Sequence, residues 1–314
     1  MSKYRFLTDY VGLAVVVILL AAFFGATTKY FLSADTFRSI ANQIPDRMAI
    51  AVGMTFVLII GGIDLSVGSV VGLSGAVLGV CLVRYGMSLP LGLVFCLATG
   101  LACGLINGLV VIAWRLPSFI VTLGMLEIAR GAAYLLTNSQ TQYIGSEVEA
   151  ISEVSVFGLS LPFLLAALIV AAGQFTLSYT LFGRHSLALG ANTEAARLSG
   201  VRTQSVSLAV FALSGLLASV GGLIQCARLS AANPNLGEGF ELQAIAAVVI
   251  GGTSLMGGRG SVVNSFFGVL IIAVLEAGLS TIGAQESTKR LVTGCVIVAA
   301  VILDHYRHRL HARS

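Results

Sequence analysis

Gly183-Arg184-His185-Ser186-Leu187-Ala188-Leu189-Gly190-Ala191-Asn192-Thr193-Glu194-Ala195-Ala196-Arg197-Leu198-Ser199-Gly200-Val201 is a polar, basic island between two apolar runs, near 159–180 and 205–226. A helix crosses a bilayer with about 20 mostly apolar residues, so the island reads as a loop between two membrane spans. A loop need only be soluble, yet this one is written as a short helix. Asn192 or Thr193 can cap its start, and Glu194 suits the positive end of its dipole. Ala195 and Ala196 allow close approach, Arg197 follows, and Gly200 can end it. That is the pattern expected of a docking surface for a cytoplasmic partner.

Working outward, the whole chain has the same apolar character. Its 314 residues are 57% hydrophobic and only 10% charged, against about 25% charged in a soluble domain. Too few charges remain to cover a water-facing surface, so the chain reads as an all-α, polytopic transmembrane bundle. Its 36 glycines against 5 prolines fit helices packed closely through small residues. Lys3 and Arg5 ahead of an apolar run from Val11 to Phe24 mimic a signal peptide, but no clear cleavage site follows and many spans come after. An uncleaved first helix is expected.

Apolar runs lie near 10–30, 46–62, 67–84, 88–113, 118–137, 159–180, 205–226, 241–257, 262–281 and 288–305, about ten spans in one transmembrane domain covering 1–314. The second, third and eighth are short, with glycines at their ends. The longest loops are 138–158 and 181–204. Lys and Arg collect on the cytoplasmic side of membranes. Arg184, Arg197 and Arg202 put the second loop inside, whereas 138–158 has Glu147, Glu149 and Glu153 without Lys or Arg and suits the outside. Both termini are then cytoplasmic.

Two segments interrupt apolar runs in a shared pattern, G-G-x-x-L-x-x-G. One is Gly61-Gly62-Ile63-Asp64-Leu65-Ser66-Val67-Gly68, the other Gly251-Gly252-Thr253-Ser254-Leu255-Met256-Gly257-Gly258. They read as paired helix breaks, with Asp64 and Ser254 placed to cap the helices that follow. A repeat relic and a chance likeness in a glycine-rich chain both remain open. Broken helices in corresponding positions often border a transport path, which makes Gly61, Gly62, Asp64, Ser66, Gly68, Gly251, Gly252 and Ser254 pathway candidates. Gly100, Gly104 and Gly108 share one face of the fourth span, as do Gly68/Gly72 and Gly75/Gly79 in the third. Tight packing within the chain explains them better than a subunit contact.

Glu127, Arg130 and Glu276 fall inside apolar runs, where charges are costly and are usually paired or functional. Glu127 and Arg130, three residues apart, can pair on one helix face. The amides Asn42, Gln43, Asn107, Gln174, Gln225 and Asn264 could bond a polyhydroxylated solute or equally a neighbouring helix. The five cysteines show no metal-ligand spacing and read as small buried hydrophobes. There is no phosphate loop, no H-E-x-x-H or clustered His/Cys metal site and no nucleophile elbow. His305, His308 and His311 lie in a basic tail suited to anionic lipid headgroups. The chain offers a pathway without visible machinery for catalysis or energy supply, no metal site and no cofactor of its own.

At this point the residues resemble a known family. Glu194, Ala195, Ala196 and Gly200 match the E-A-A-x-x-x-G signature of permease subunits in bacterial ATP-binding-cassette importers. The resemblance narrows to the ribose/xylose/arabinose-type sugar permeases through Ala51-Val52-Gly53-Met54-Thr55, the segment from Gly61 to Ser69, Pro117-Ser118-Phe119-Ile120-Val121-Thr122-Leu123-Gly124, and Arg130-Gly131. Further matches are Gly183-Arg184, Gly190-Ala191-Asn192, Ala244 through Gly252, and Gly257-Gly258-Arg259-Gly260. They occur in family order over most of the chain, with one small departure, Ala191 where a second glycine is common.

The resemblance implies a type II importer-like permease fold in a bacterial inner membrane, working as a pair of such chains. A periplasmic sugar-binding protein would dock outside. A cytoplasmic ATPase, holding the ATP and Mg²⁺, would dock inside. The loop 183–201 would carry the coupling helix, with Arg184, Asn192, Glu194, Ala195, Ala196, Arg197 and Gly200 contributing to coupling. Nothing points to nucleic acid, and lipid is the surrounding partner. The solute would be a pentose, a hexose or a sugar-like molecule. An ion- or proton-coupled secondary transporter, motivated by Asp64, Glu127 and Glu276, is the competing class, and a membrane-embedded enzyme has little support.

Overall fold

The computed structural model describes residues 3–156 and 158–311. In chain order the helices are α1 (Lys3–Thr27), α2 (Ala34–Gln43), α3 (Pro45–Ile59), α4 (Val67–Gly79, continued by a π turn over Val80–Arg84), α5 (Leu89–Trp114), α6 (Ser118–Thr137) and α7 (Ser146–Glu153). They continue with α8 (Leu161–Tyr179), α9 (Leu181–Ala191), α10 (Thr193–Leu198), α11 (Thr203–Leu229), α12 (Phe240–Ile250), α13 (Val262–Thr281) and α14 (Glu286–His311). Four two-residue strands tie loops: β1 (Gln142–Tyr143) pairs antiparallel with β4 (Ala231–Ala232), and β2 (Ser155–Val156) pairs with β3 (Leu159–Ser160).

Among the described residues, six helices are long and apolar enough to cross a membrane: Val67–Arg84, Leu89–Trp114, Ser118–Thr137, Leu161–Tyr179, Thr203–Leu229 and Val262–Thr281. Of the other four expected spans, α3 and α12 are shorter than that standard with 15 and 11 residues, whereas α1 and α14 have 25 and 26 residues. The apolar part of α1 is Val11–Thr27, and α12 is a short apolar helix. α3 has 15 residues, about 22 Å at 1.5 Å per residue, against a hydrocarbon core of about 30 Å. Glycine ends α3 and α12 early, before the apolar runs that contain them are finished. The expected termini extend past the description at residues 1–2 and 312–314, and residue 157 of the 138–158 loop also lies outside it.

The bundle is built around α3 and α11. In α3 every residue from Met48 to Ile59 is buried, as expected of a helix that is apolar all round. α3 and α11 are antiparallel: Asp46 meets Gln225 and Arg228, Gly53 meets Ser214, and Gly62 meets Phe211. α5 lies along the opposite side of α11 on the stripe Gly100, Gly104 and Gly108, which faces Gly215 and Ser219, Phe211, and Leu208 in turn. The stripe packs within the chain, as expected, because a Cβ on Gly104 would run into the Phe211 carbonyl. α4 presents Gly68, Gly72, Gly75 and Gly79 to the 231–239 segment, the Glu241 side chain and Cys226. α5, α6 and α8 leave long apolar faces open, with Leu135 at 82% and Leu168 at 65% exposure, which suits a lipid surround. Four cysteines are buried and Cys295 is exposed.

This packing predicts that Gly104→Leu destabilises the detergent-solubilised protein by about 1–3 kcal/mol, the usual cost of overpacking. Gly12→Leu, at a position with no atom within 4 Å of an added Cβ, should stay within about 0.5 kcal/mol. Thermal melts of the two variants beside the parent check the contrast; equal melting temperatures would contradict the close α5–α11 approach.

Candidate functional site

The two glycine segments are true helix breaks, and they end their helices by the same device. After α3, Gly61 has φ +77°, its N–H donates to Leu58 O at 2.9 Å and the Gly62 N–H donates to Val57 O at 2.9 Å. After α12, Gly252 has φ +83°, its N–H donates to Val249 O at 2.8 Å and the Thr253 N–H donates to Val248 O at 3.1 Å. This is the paired 5→2 and 6→1 closure that needs a left-handed residue just past the helix. The equivalent residues are therefore Gly61 and Gly252. The sequence pattern had aligned Gly61 with Gly251, so the structural register is shifted by one.

Beyond these closures the breaks differ. In the first, the Ile63 N–H donates to Ser118 Oγ (2.9 Å) and the Leu65 N–H to Thr122 Oγ1 (3.0 Å), both on α6. Asp64 is fully buried. Its Oδ1 accepts from the Ser66 N–H (3.0 Å) and Ser66 Oγ (2.6 Å), and its Oδ2 accepts from Ser214 Oγ on α11 (2.8 Å). Asn107 Nδ2 on α5 donates to Ser66 Oγ at 2.9 Å. In the second break, Ser254 Oγ accepts from the Met256 N–H (3.2 Å), and the Ser254 N–H donates to Arg259 O (3.0 Å). Neither Asp64 nor Ser254 caps the next helix as expected. α4 begins at Val67 after Ser66 with no side-chain cap, and α13 is capped by Ser261, which accepts from the Asn264 N–H. Both expected caps are instead spent inside the turn, stabilising it two residues on.

The breaks touch one another and the helix pair α9–α10. The Gly258 N–H donates to Ile59 O at 2.8 Å, joining the second break to the last residue of α3. Gly190 of α9 packs on the same carbonyl. The Phe182 ring of α9 lies 5.8 Å from the Phe56 ring of α3.

α10 is the most solvated helix of this region. Asn192 Oδ1 accepts from the Ala195 N–H at 2.9 Å, the cap expected from the sequence. Arg197 grips Glu194 with Nε at 3.0 Å and Nη2 at 2.6 Å. That guanidinium holds the Glu194 carboxyl below its ordinary value. Gly200, φ +85°, closes the helix, with its N–H on Arg197 O and the Val201 N–H on Ala196 O. Arg184 and Ala195 are exposed, while Ala196 is buried against the chain. Only one of the two alanines expected to permit close approach is therefore on the outer face. Leu198 is 75% exposed.

The expected Glu127–Arg130 pair is not formed. Glu127 is exposed, and Arg130 donates instead to the carbonyls of Pro234 and Leu236. Carbonyls in an irregular segment lack helical donors, which makes them the better acceptors for a guanidinium at that depth. At the end of the bundle opposite α10, a charged cluster escaped the sequence reading. Buried Asp46 accepts from Gln225 Nε2 (3.1 Å) and Arg228 Nη2 (3.3 Å), and Arg47 pairs with Glu276 at 2.6 Å. The one available signal was that these ions sit at the ends of apolar runs. A polar cavity of about 360 Å³ lies there, lined by Ser39, Asn42, Gln43, Ser152, Ser160 and Arg228 among others.

Spanning helices around two glycine-broken ones, with an exposed helix tied to the breaks, define a polytopic membrane protein of the permease class. The comparisons agree. The family described as "Branched-chain amino acid transport system / permease component" matches residues 36–301. The ribose import permease protein of Escherichia coli is 36% identical over 296 residues, covering 93% of this chain and 92% of that protein. The fructose import permease protein of Rhizobium meliloti is 33% identical, covering 96% and 86%, and the xylose transport system permease protein of Escherichia coli is 34% identical, covering 94% and 91%. No solved structure matches the chain. The chain belongs to the branched-chain amino acid transport system permease component family. It is a transport component of the membrane and not an enzyme.

The buried network predicts that Asp64→Ala, which strands the donors of Ser66 and Ser214, destabilises the protein by about 1–3 kcal/mol. Glu127→Ala, on the open face, should stay within about 0.5 kcal/mol. Thermal unfolding in detergent separates them, and an Asp64→Ala variant melting with the parent would contradict the network.

Proposed function

We propose that this chain is the membrane permease subunit of an ATP-binding-cassette importer that carries a monosaccharide, a pentose or hexose, across a bacterial inner membrane. The observation that carries the reading is α10. It is six residues long, capped and closed at both ends, solvated on its outer face, and joined through α9 to both helix breaks. Import permeases for ribose, fructose and xylose, alike over most of their length, support the solute class.

In this reading α10 is the coupling helix, with Arg184, Asn192, Glu194, Ala195, Arg197 and Gly200 shaping the surface that a cytoplasmic ATPase grips; Ala196 anchors it from beneath. ATP and Mg²⁺ belong to that partner. Residues 138–158, with the acidic α7, are periplasmic, on the side where a sugar-binding protein docks, and both termini are cytoplasmic. Two copies of the chain form the pathway. The six long helices, α1, α14, and the broken α3 and α12 make up the ten membrane segments. Closure of the ATPase shifts α10, and the shift reaches the breaks at Gly61–Gly68 and Gly251–Ser254. The ion-coupled reading is less well supported: Asp64 accepts three hydrogen bonds within the chain, Glu276 pairs with Arg47, and Glu127 is exposed.

Glu194→Arg and Gly200→Trp are expected to leave the permease in the membrane while uncoupling uptake from ATP hydrolysis. Reconstituted vesicles holding permease, ATPase and binding protein give the readout, sugar taken up per ATP hydrolysed. Normal ATP-driven uptake by both variants would remove the coupling role from α10.

A further inference from the structure

A short helix on a protein surface transmits motion only if it is held to what must move. α10 itself has few anchors: Ala196 is its one buried residue. α9 is the firmer body. Its start is capped by Thr180, whose Oγ1 accepts from the Gly183 N–H at 3.2 Å, and its end runs directly into Asn192, the cap of α10. One route from α10 into the bundle runs through the two places where α9 meets α3, Phe182 on Phe56 near its start and Gly190 on Ile59 at its end; the chain also continues past Gly200 into α11.

The second contact joins three segments. The Ile59 carbonyl belongs to the last turn of α3 and accepts the Gly258 N–H at 2.8 Å. Gly190 leaves no room for a side chain, because a Cβ there would overlap that carbonyl oxygen and lie 2.5 Å from the Gly258 nitrogen. From the other side, a Cβ at Gly257 would lie 2.9 Å from the Gly190 oxygen and 3.0 Å from the Gly61 nitrogen. One at Gly258 would lie 2.9 Å from the Ala191 Cα. Backbone packs on backbone at every face, so no flexible side chain is available to absorb a displacement. Close-packed backbone transmits a shift rather than damping it.

We propose that Gly190 is a positioning residue for coupling: it locks α9–α10 onto Ile59 and Gly258, so that α10 and both helix breaks move as one body. The Gly258–Ile59 hydrogen bond makes the two breaks a single mechanical element, and Gly190 is the point at which α10 engages it. This rests on α10 being the coupling helix.

Two measurements on the assembled complex of permease, ATPase and binding protein test it. In reconstituted vesicles, Gly190→Ala is expected to lower sugar uptake per ATP hydrolysed by roughly ten-fold; a ratio equal to the parent's overturns the proposal. The second measurement leaves the junction intact and decides the matter should that variant fail to accumulate. Spin labels at Ala188→Cys and Met256→Cys, both exposed positions, are placed in a Cys295→Ser background and diluted with unlabelled chains. The distance between them is compared without nucleotide and with ATP trapped by vanadate. An unchanged distance is expected, and a shifted distribution overturns the proposal. Glu194→Arg in the same vesicles separates the two levels. If it couples normally, α10 is not the coupling helix. If it uncouples while Gly190→Ala does not, or while the labels move apart, only the junction is wrong.

Discussion

Every backbone N–H and C=O inside an apolar bundle needs a partner, and two interrupted helices put this chain under that constraint at its centre. A break at Gly61 strands the last turn of α3, and one at Gly252 strands the last turn of α12. Left-handed glycine closes each helix onto its own carbonyls. The residues beyond are satisfied from outside, by Ser118 and Thr122 of α6, by Asp64 with Ser66 and Ser214, and by the Gly258–Ile59 bond. The arrangement of α5, α6 and α11 around the first break follows from this need. Each brings a hydroxyl or an amide to it, and the glycine stripe of α5 lets Asn107 approach close enough to reach Ser66.

The same economy explains the contrast between the two ends of the molecule. At the α10 end, backbone packs on backbone beside one buried carboxyl, Asp64. At the far end, charges pair across helices, buried Asp46 with Arg228 and half-buried Arg47 with half-buried Glu276. Asp46 also stands in the first turn of α3, where the helix dipole favours a carboxylate. These pairs join α3, α11 and α13 to one another at that end of the bundle. At the other end, the glycine junction holds backbone against backbone with no side chain between.

Local chemistry was legible in the sequence, and long-range pairing was not. The bounds of α10 could be read because Asn192 and Gly200 act on neighbours three to five residues away. The breaks could be read because paired glycines interrupt apolar runs. Their register could not, because which glycine turns left-handed depends on which carbonyl its N–H reaches. The lengths of α3 and α12 were overstated for a related reason: an apolar run continues through Gly61 and Gly251 although the helix does not. Spacing alone placed Glu127 and Arg130 on one face, but Arg130 found better acceptors 104 and 106 residues away in sequence. Arg47 and Glu276, 229 residues apart, could be matched only by the fold.

The central claim is that this chain moves sugar only when an ATPase seated on α10 drives it. Vesicles containing the chain alone, and vesicles containing it with the ATPase and sugar-binding protein, can be loaded identically and given either ATP or an imposed proton gradient, with radiolabelled pentose and hexose uptake followed in each. The account predicts concentrative uptake in the complete vesicles with ATP and none in the chain-only vesicles under a proton gradient. Gradient-driven accumulation by the chain alone would contradict it.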